Sequence, residues 1–140
     1  MITKTKLQIR ASAVAAISST LFLCACAPLT TGVNGYDNFL RESNLTLHKG
    51  SRVAVDAANC FENQANFLPL SEFSRDSVAG TFTYRLRLAG VWYEQVRIFA
   101  DAEESRVEIR LSPSLSGKWK ADFDKDRGAI LKQCLNAPVV

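Results

Sequence analysis

The sequence predicts an α+β fold in which a small antiparallel meander of three to five strands packs against a C-terminal helix. Three observations predict it. Apolar and polar residues alternate through residues 81–112, which is the period of half-buried strands. Apolar residues recur at helical spacing in residues 122–136. Cys60 and Cys134 form a pair that would clip this helix to the rest of the fold by one disulfide.

The part of the chain before the meander has weaker patterns. Residues 36–43 predict a short helix, and residues 45–48 and 53–55 alternate as a first pair of strands would. Residues 57–80 are rich in Asn, Ser and Pro and hold no period for long. They predict an irregular connection with a helical turn at residues 61–67, and a connection of this length is often a binding segment.

The first hairpin of the meander can be aligned by asking which side chains share a face. A three-residue loop at residues 88–90 pairs Leu86 with Trp92 and keeps the apolar face apolar, except that Tyr84 meets Glu94. A two-residue turn at residues 89–90 would mix the two faces. The pattern therefore favours the three-residue loop.

The second hairpin is predicted by a loop at residues 101–104. This loop pairs Ile98 with Val107 on the apolar face. It also sets Arg97 opposite Glu108, a favourable cross-strand pair. Both faces agree with this register, so an antiparallel arrangement is expected.

The outward face of this meander is rich in arginine. It carries Gln95, Phe99 and a single acid, Glu108. A solvated sheet face is one interpretation. The other is a recognition surface, because guanidinium groups bind carboxylates and phosphates in a bidentate manner and stack on aromatic rings. The candidate binding residues are Arg85, Arg87, Tyr93, Arg97, Arg106 and Arg110. An acidic envelope protein, an anionic glycan or a lipid head group would fit such a surface.

The N-terminal region has the layout of a secretory signal peptide. Lys4, Lys6 and Arg10 precede an apolar stretch at residues 11–23, and residues 1–25 contain no acid. This stretch is too short for a transmembrane helix, which needs about 20 residues. It suits the apolar core of an export signal.

The export signal ends in a motif that resembles a bacterial lipobox. Leu23 stands three residues before Cys26 and Ala25 stands directly before it, whereas Cys24 departs from the usual small or β-branched residue. Membership of the lipoprotein class implies cleavage before Cys26, lipid on its sulfur, and anchoring without spanning. In the lipoprotein class, Asp directly after the lipidated cysteine retains a protein in the inner membrane, so Ala27 at this position implies the outer membrane. We expect the protein on the periplasmic face of that membrane. The alternative is an ordinary signal peptide cleaved after Ala25 or Ala27.

Cleavage at this motif would divide the chain and its charge. Residues 1–25 would be the signal peptide, residues 26–35 a flexible tether and residues 36–140 a single domain. The full chain has 17 Lys and Arg against 14 Asp and Glu, a net charge of +3. Loss of the signal would leave 14 of each, so net charge does not indicate nucleic acid as a partner.

The cysteines agree with export to an oxidising compartment. Cys60 and Cys134 would remain as an even pair after lipidation of Cys26. A disulfide closing a loop of about 75 residues would stabilise the fold by roughly 4 kcal/mol. Redox-active thiols are the alternative, but neither cysteine belongs to a C-x-x-C motif.

The sequence offers little for catalysis, metals or cofactors. His48 is the one histidine in the chain, so a hydrolase would have to be built on it. Asp122, Asp124 and Asp126 resemble the start of a calcium-binding EF-hand loop, but Arg127 replaces its glycine. Acids near a helix N-terminus explain the spacing equally well. We therefore expect a non-enzymatic, membrane-anchored protein that binds or supports another envelope component, and alternatively a binding module for a soluble anionic ligand or glycan.

Overall fold

The computed structural model describes residues 32–115 and 117–136. The predicted signal peptide, Cys26 and residues 26–31 of the predicted tether lie outside this range. Within the described residues, no helix has the length and apolar character needed to cross a membrane.

The described residues form an antiparallel sheet with helices on both of its faces. The strands are β1 (Val33–Asn34), β2 (Asn44–Gly50), β3 (Ser71–Asp76), β4 (Thr81–Leu88), β5 (Val91–Asp101) and β6 (Glu104–Leu111). The helices are α1 (Tyr36–Glu42), α2 (Ala54–Gln64), α3 (Gly117–Phe123) and α4 (Ala129–Asn136). The sheet order is β2-β6-β5-β4-β3, and β1 pairs with the start of β5. The predicted α+β class is confirmed, with a sheet wider than the meander alone.

The second hairpin has the predicted pairing. Ile98 lies opposite Val107 and Arg97 lies opposite Glu108. The turn is tighter than the predicted loop, because Asp101 and Glu104 still pair with each other. The alternation of apolar residues was sufficient to predict this register because no bulge interrupts the pairing of β5 with β6.

The predicted register of the first hairpin is wrong. Its turn has two residues, Ala89 and Gly90, with φ of 48° and 82°, the left-handed pair that a tight hairpin turn requires. A β-bulge follows at Tyr93, so that Leu86 pairs with Glu94. The extra residue restores the apolar face that an unbulged two-residue turn would have mixed.

Residues 53–80 are more regular than predicted. The segment at residues 53–55 starts α2 and does not form a strand, and β2 pairs with β6 instead. Helical spacing is present in the buried residues Ala54, Ala57 and Phe61 of α2. These small alanines gave a weak signal, and the short edge strand β3 gave almost none.

The inner face of the sheet carries the main core. Helices α2 and α4 pack there and are joined by the predicted Cys60–Cys134 disulfide. The last turn of α4 lies against β2, where a Cβ at Gly50 would be 2.6 Å from the Cβ of Leu135. This close approach requires glycine at that position.

The C-terminal helical segment begins earlier than predicted and contains one irregular turn. α3 and α4 are joined by a π-helical turn, Asp124–Gly128. Asp122, Asp124 and Asp126 therefore lie on helical backbone, which is not the loop that an EF-hand requires. Asp122 accepts a hydrogen bond from Lys118, which raises the pKa of that lysine.

The outer face is partly covered by α1. Phe39 is fully buried and its ring stacks on Trp92, with Val33 of β1 beside them. β1 lies within the range predicted as a tether, so the folded part of the chain includes residues before Tyr36.

Candidate functional site

The sheet brings the five predicted arginines onto its outer face. Cross-strand rows show this directly, since Arg85 lies opposite Gln95, which in turn lies opposite Arg110. A neighbouring row aligns Thr83, Arg97 and Glu108, and the next aligns Phe99 with Arg106. Arg87 lies beside Trp92 at the end near the hairpin turn.

Tyr93 does not belong to this face. The bulge turns its side chain to the inner side, where its ring stacks on Trp119 with 5.4 Å between ring centroids. Trp92 takes the outer position instead, and the guanidinium carbon of Arg87 lies 5.6 Å from its ring centroid. Trp92 and Tyr93 therefore each lie on the face opposite to the one predicted.

A second acid, Glu72 of β3, lies at this face. Arg85 Nε donates to its Oε2 at 2.6 Å, and Arg87 donates to its Oε1 at 3.3 Å. The Arg85 hydrogen bond, assisted by Arg87, holds the pKa of Glu72 below its ordinary value. Sequence reasoning missed this acid because β3 was interpreted as part of an irregular connection.

The remaining arginines have different surroundings. Arg97 lies 3.6 Å from Glu108 and over the ring of Phe99. Arg106 is exposed and contacts the same ring from the other side of the ladder. Arg110 donates to the Leu40 carbonyl at the end of α1, so it holds that helix in place.

Three of the five arginines, Arg85, Arg87 and Arg97, line a shallow groove of about 380 Å³ between α1 and the sheet, whereas Arg106 and Arg110 do not. Gln95 lies at its base and donates to the Tyr36 hydroxyl at 3.3 Å. The Gln95 side-chain oxygen has no hydrogen-bond partner among the described residues. The groove is lined by Tyr36, Thr83, Arg85, Arg87, Trp92, Gln95 and Arg97. Three guanidinium groups beside two aromatic rings can hold a carboxylate or phosphate and the flat group that carries it.

The inner side of the sheet holds a different Arg–Glu pair. Arg127, placed by the π-helical turn, donates two hydrogen bonds of 2.8 and 2.7 Å to Glu94. Tyr84 and Trp119 donate to the same carboxylate. Burial raises the pKa of Tyr84, so its hydroxyl stays protonated and donates. All four donors converge on one buried carboxylate, which makes this network a structural anchor.

His48 lines a separate cleft on the inner side, together with Ser112 and Asp124. No hydrogen bond between described residues connects these three side chains. Asp124 accepts from Lys120 at 2.5 Å, and Ser112 lies 3.5 Å from the Ser114 hydroxyl. The geometry thus contains the residue types of a hydrolase without a relay between them.

No group of three or more His, Cys, Asp or Glu side chains in the described part of the chain is placed to hold a metal ion. A scan against protein-family models and searches of curated proteins and of solved structures found no match to this chain.

Proposed function

We propose that this protein is a lipid-anchored periplasmic lipoprotein that binds another component of the cell envelope through the outer face of its sheet. The observation that carries the proposal is the convergence of Arg85, Arg87 and Arg97 on one groove beside Tyr36 and Trp92. No catalytic role, metal or cofactor is assigned. The partner would present a carboxylate or a phosphate to this groove.

Local charge supports an anionic partner. Glu72 and Glu108 oppose the three arginines of the groove, and Arg106 adds a further exposed cation at the far end of the face. The three groove arginines are about one-third to one-half exposed, with 32% for Arg85 and 45% for Arg87. Their donors are therefore within reach of a ligand, at little desolvation cost.

The membrane location rests on the lipobox-like sequence around Cys26. Palmitate labelling of the full chain in a bacterial host tests it. We expect label on the wild type and on Cys24→Ala, and none on Cys26→Ala. Equal labelling of Cys26→Ala would contradict the anchor. Separation of inner and outer membranes locates the labelled wild-type protein.

The outer face is tested by recovery of partners from detergent-solubilised envelopes. The test variant is Arg85→Ala/Arg97→Ala, and the matched control is Lys118→Ala/Lys125→Ala, which removes two exposed cations from the helical side. We expect the test variant to lose the partner that the wild type and control both recover. Purified partner should then bind the wild type directly, with at least about tenfold weaker binding to the test variant. Equal recovery by all three proteins would remove the outer face as the contact.

A second function, capture of a soluble anionic ligand or glycan, is favoured by one observation: the outer face contains a groove and is not flat. Calorimetry with glucose 6-phosphate, glucuronate and glucose separates the two functions. Binding of either anion, without binding of glucose and without any envelope partner, would favour the soluble ligand. Tighter binding of glucose 6-phosphate than of glucuronate would identify phosphate as the preferred anionic group of the ligand.

A further inference from the structure

A second cleft lies on the inner side of the sheet, away from the arginine groove. It has a volume of about 560 Å³ and opens between β2, the end of β6 and the C-terminal helical segment. Clefts of about 300–1,000 Å³ are typical of small-molecule sites. The cleft is therefore large enough for a ligand that the outer face would not contact.

The floor of the cleft is apolar. Ile109, Leu111 and Phe123 form it, and Leu115 adds a half-buried side. Of the strand residues beside it, Asn44 and Thr46 are exposed and His48 is half-buried. A ligand with an aliphatic body would displace water from this floor, which is favourable in proportion to the apolar area covered.

The rim of the cleft has two basic side chains without an acidic partner. His48 and Lys132 make no side-chain hydrogen bond or ion pair with the described residues. Lys120, in contrast, is neutralised by Asp124. Only an anionic head group would complement Lys132, and the Ser112 hydroxyl and the His48 ring could add hydrogen bonds to it.

From this combination we propose that the inner cleft binds a small anionic amphiphile, namely a single aliphatic chain that ends in a carboxylate or a phosphate monoester. The chain lies on Ile109, Leu111 and Phe123, and the head group faces Lys132. This site is on the opposite side of the sheet from the arginine groove. It does not depend on the function proposed for that groove.

The probes are octanoate and octyl phosphate, with octanol and octylammonium as the uncharged and cationic counterparts. Each is added, below its micelle concentration, to ¹⁵N-labelled soluble protein that starts after Cys26, and amide shifts are followed by NMR. We expect saturable shifts with both anions at Thr46, His48 and Ala129, weaker shifts with octanol, and none with octylammonium. The relative affinities of the two anions identify the head group. Absence of saturable shifts, or shifts confined to the arginine groove, would overturn the proposal.

Two variants separate the head-group contact from the apolar floor. Lys132→Ala should weaken octanoate binding about tenfold and leave octanol unchanged. Ala129→Trp places a bulky ring at the exposed helix surface that lines the cleft, and it should abolish binding of both octanoate and octanol. Lys125→Ala, an exposed lysine of the π-helical turn outside the cleft, is the matched control. Equal affinity of Lys132→Ala and Lys125→Ala for octanoate would show that no head group is recognised there, and would refute the assignment.

Discussion

The two sides of the sheet use the same pair of residue types in different surroundings. Inside, Arg127 and Glu94 are 1% and 0% exposed, and the carboxylate accepts four hydrogen bonds. Outside, Arg85 and Arg87 share Glu72 at 32–45% exposure. Burial therefore decides what each pair can do.

A buried ion pair must be fully satisfied, because the solvation lost by both charges is large. The Glu94 network meets this requirement and orients the π-helical turn against the sheet. A surface pair gains little from its own attraction, since water competes for both partners. The Glu72 pair can therefore exchange its carboxylate for one from a ligand at small cost.

The largest expected effect comes from removing the buried arginine. Arg127→Met leaves the Glu94 charge buried beside only Tyr84 and Trp119, so we expect the free energy of unfolding to fall by about 3–5 kcal/mol. Arg85→Met, the same substitution on the outer face, should cost less than about 1 kcal/mol. Urea unfolding followed by circular dichroism measures both. Equal losses of unfolding free energy in Arg127→Met and Arg85→Met would show that burial does not distinguish the two ion pairs.

The double variant Glu94→Leu/Arg127→Met refines this comparison. It removes both charges, so it should recover part of the stability lost in Arg127→Met. Recovery should remain incomplete because Tyr84 and Trp119 lose their acceptor, at about 1–3 kcal/mol for each unpaired donor. A double variant less stable than Arg127→Met would show that the two unpaired donors cost more than the buried charge of Glu94.

The disulfide is the next largest expected effect, and it also belongs to the inner side. Cys60→Ala/Cys134→Ala removes the covalent link between α2 and α4 and should lower the free energy of unfolding by about 2–4 kcal/mol. The outer face, held by Phe39 and Trp92, does not include either cysteine. Partner recovery should therefore be unchanged at temperatures where the variant is folded. Loss of the partner together with retained folding would show that the two sides are coupled.

How far the sequence predicts this molecule depends on the range of the interactions. Alternation predicted the pairing of β5 with β6, and the cysteine pair predicted the Cys60–Cys134 disulfide, because both signals are carried by residue type alone. The bulge at Tyr93 was not predicted, because alternation alone does not indicate where an extra residue interrupts a strand pair. In the folded chain the bulge leaves Trp92 packed against Phe39 of α1. A single shifted residue then exchanged Trp92 and Tyr93 between the two faces.

The groove illustrates the same limit. Its arginines were predicted, because three strands with polar residues at alternate positions must present them together. Glu72 and Tyr36 were not, because both come from elements whose own patterns are short. The inner pair of Glu94 and Arg127 was also missed. The available sequence signal was Glu94, a lone acid on the apolar face of β5. Its arginine partner is placed by the π-helical turn, which the sequence pattern did not predict.

Removing the competing carboxylate should strengthen anion binding at the outer face. Glu72→Gln keeps the size of the side chain but frees Arg85 and Arg87 from an ionic partner. We expect affinity for the envelope partner to rise about two- to fivefold, the range set by a surface ion pair. Glu103→Gln removes an exposed acid from a hairpin turn and serves as the matched control. A fall in affinity would mean that Glu72 itself contacts the partner.

The smallest expected effect is the acid dependence of the same pair. The pKa of Glu72 is lower in the folded protein, chiefly because of its hydrogen bond with Arg85, so its contribution to stability is present above its ordinary pKa of 4.5. That contribution is lost as the pH falls through the folded value, where the carboxylate takes up a proton. The difference in unfolding free energy between the wild type and Glu72→Gln should therefore shrink as the pH falls below about 4.5. Glu103→Gln, which removes an exposed acid from a hairpin turn, is the matched control for the loss of one carboxylate. A difference for Glu72→Gln that grows on acidification would require a raised pKa, and would contradict the role of Glu72 as the partner of the groove arginines.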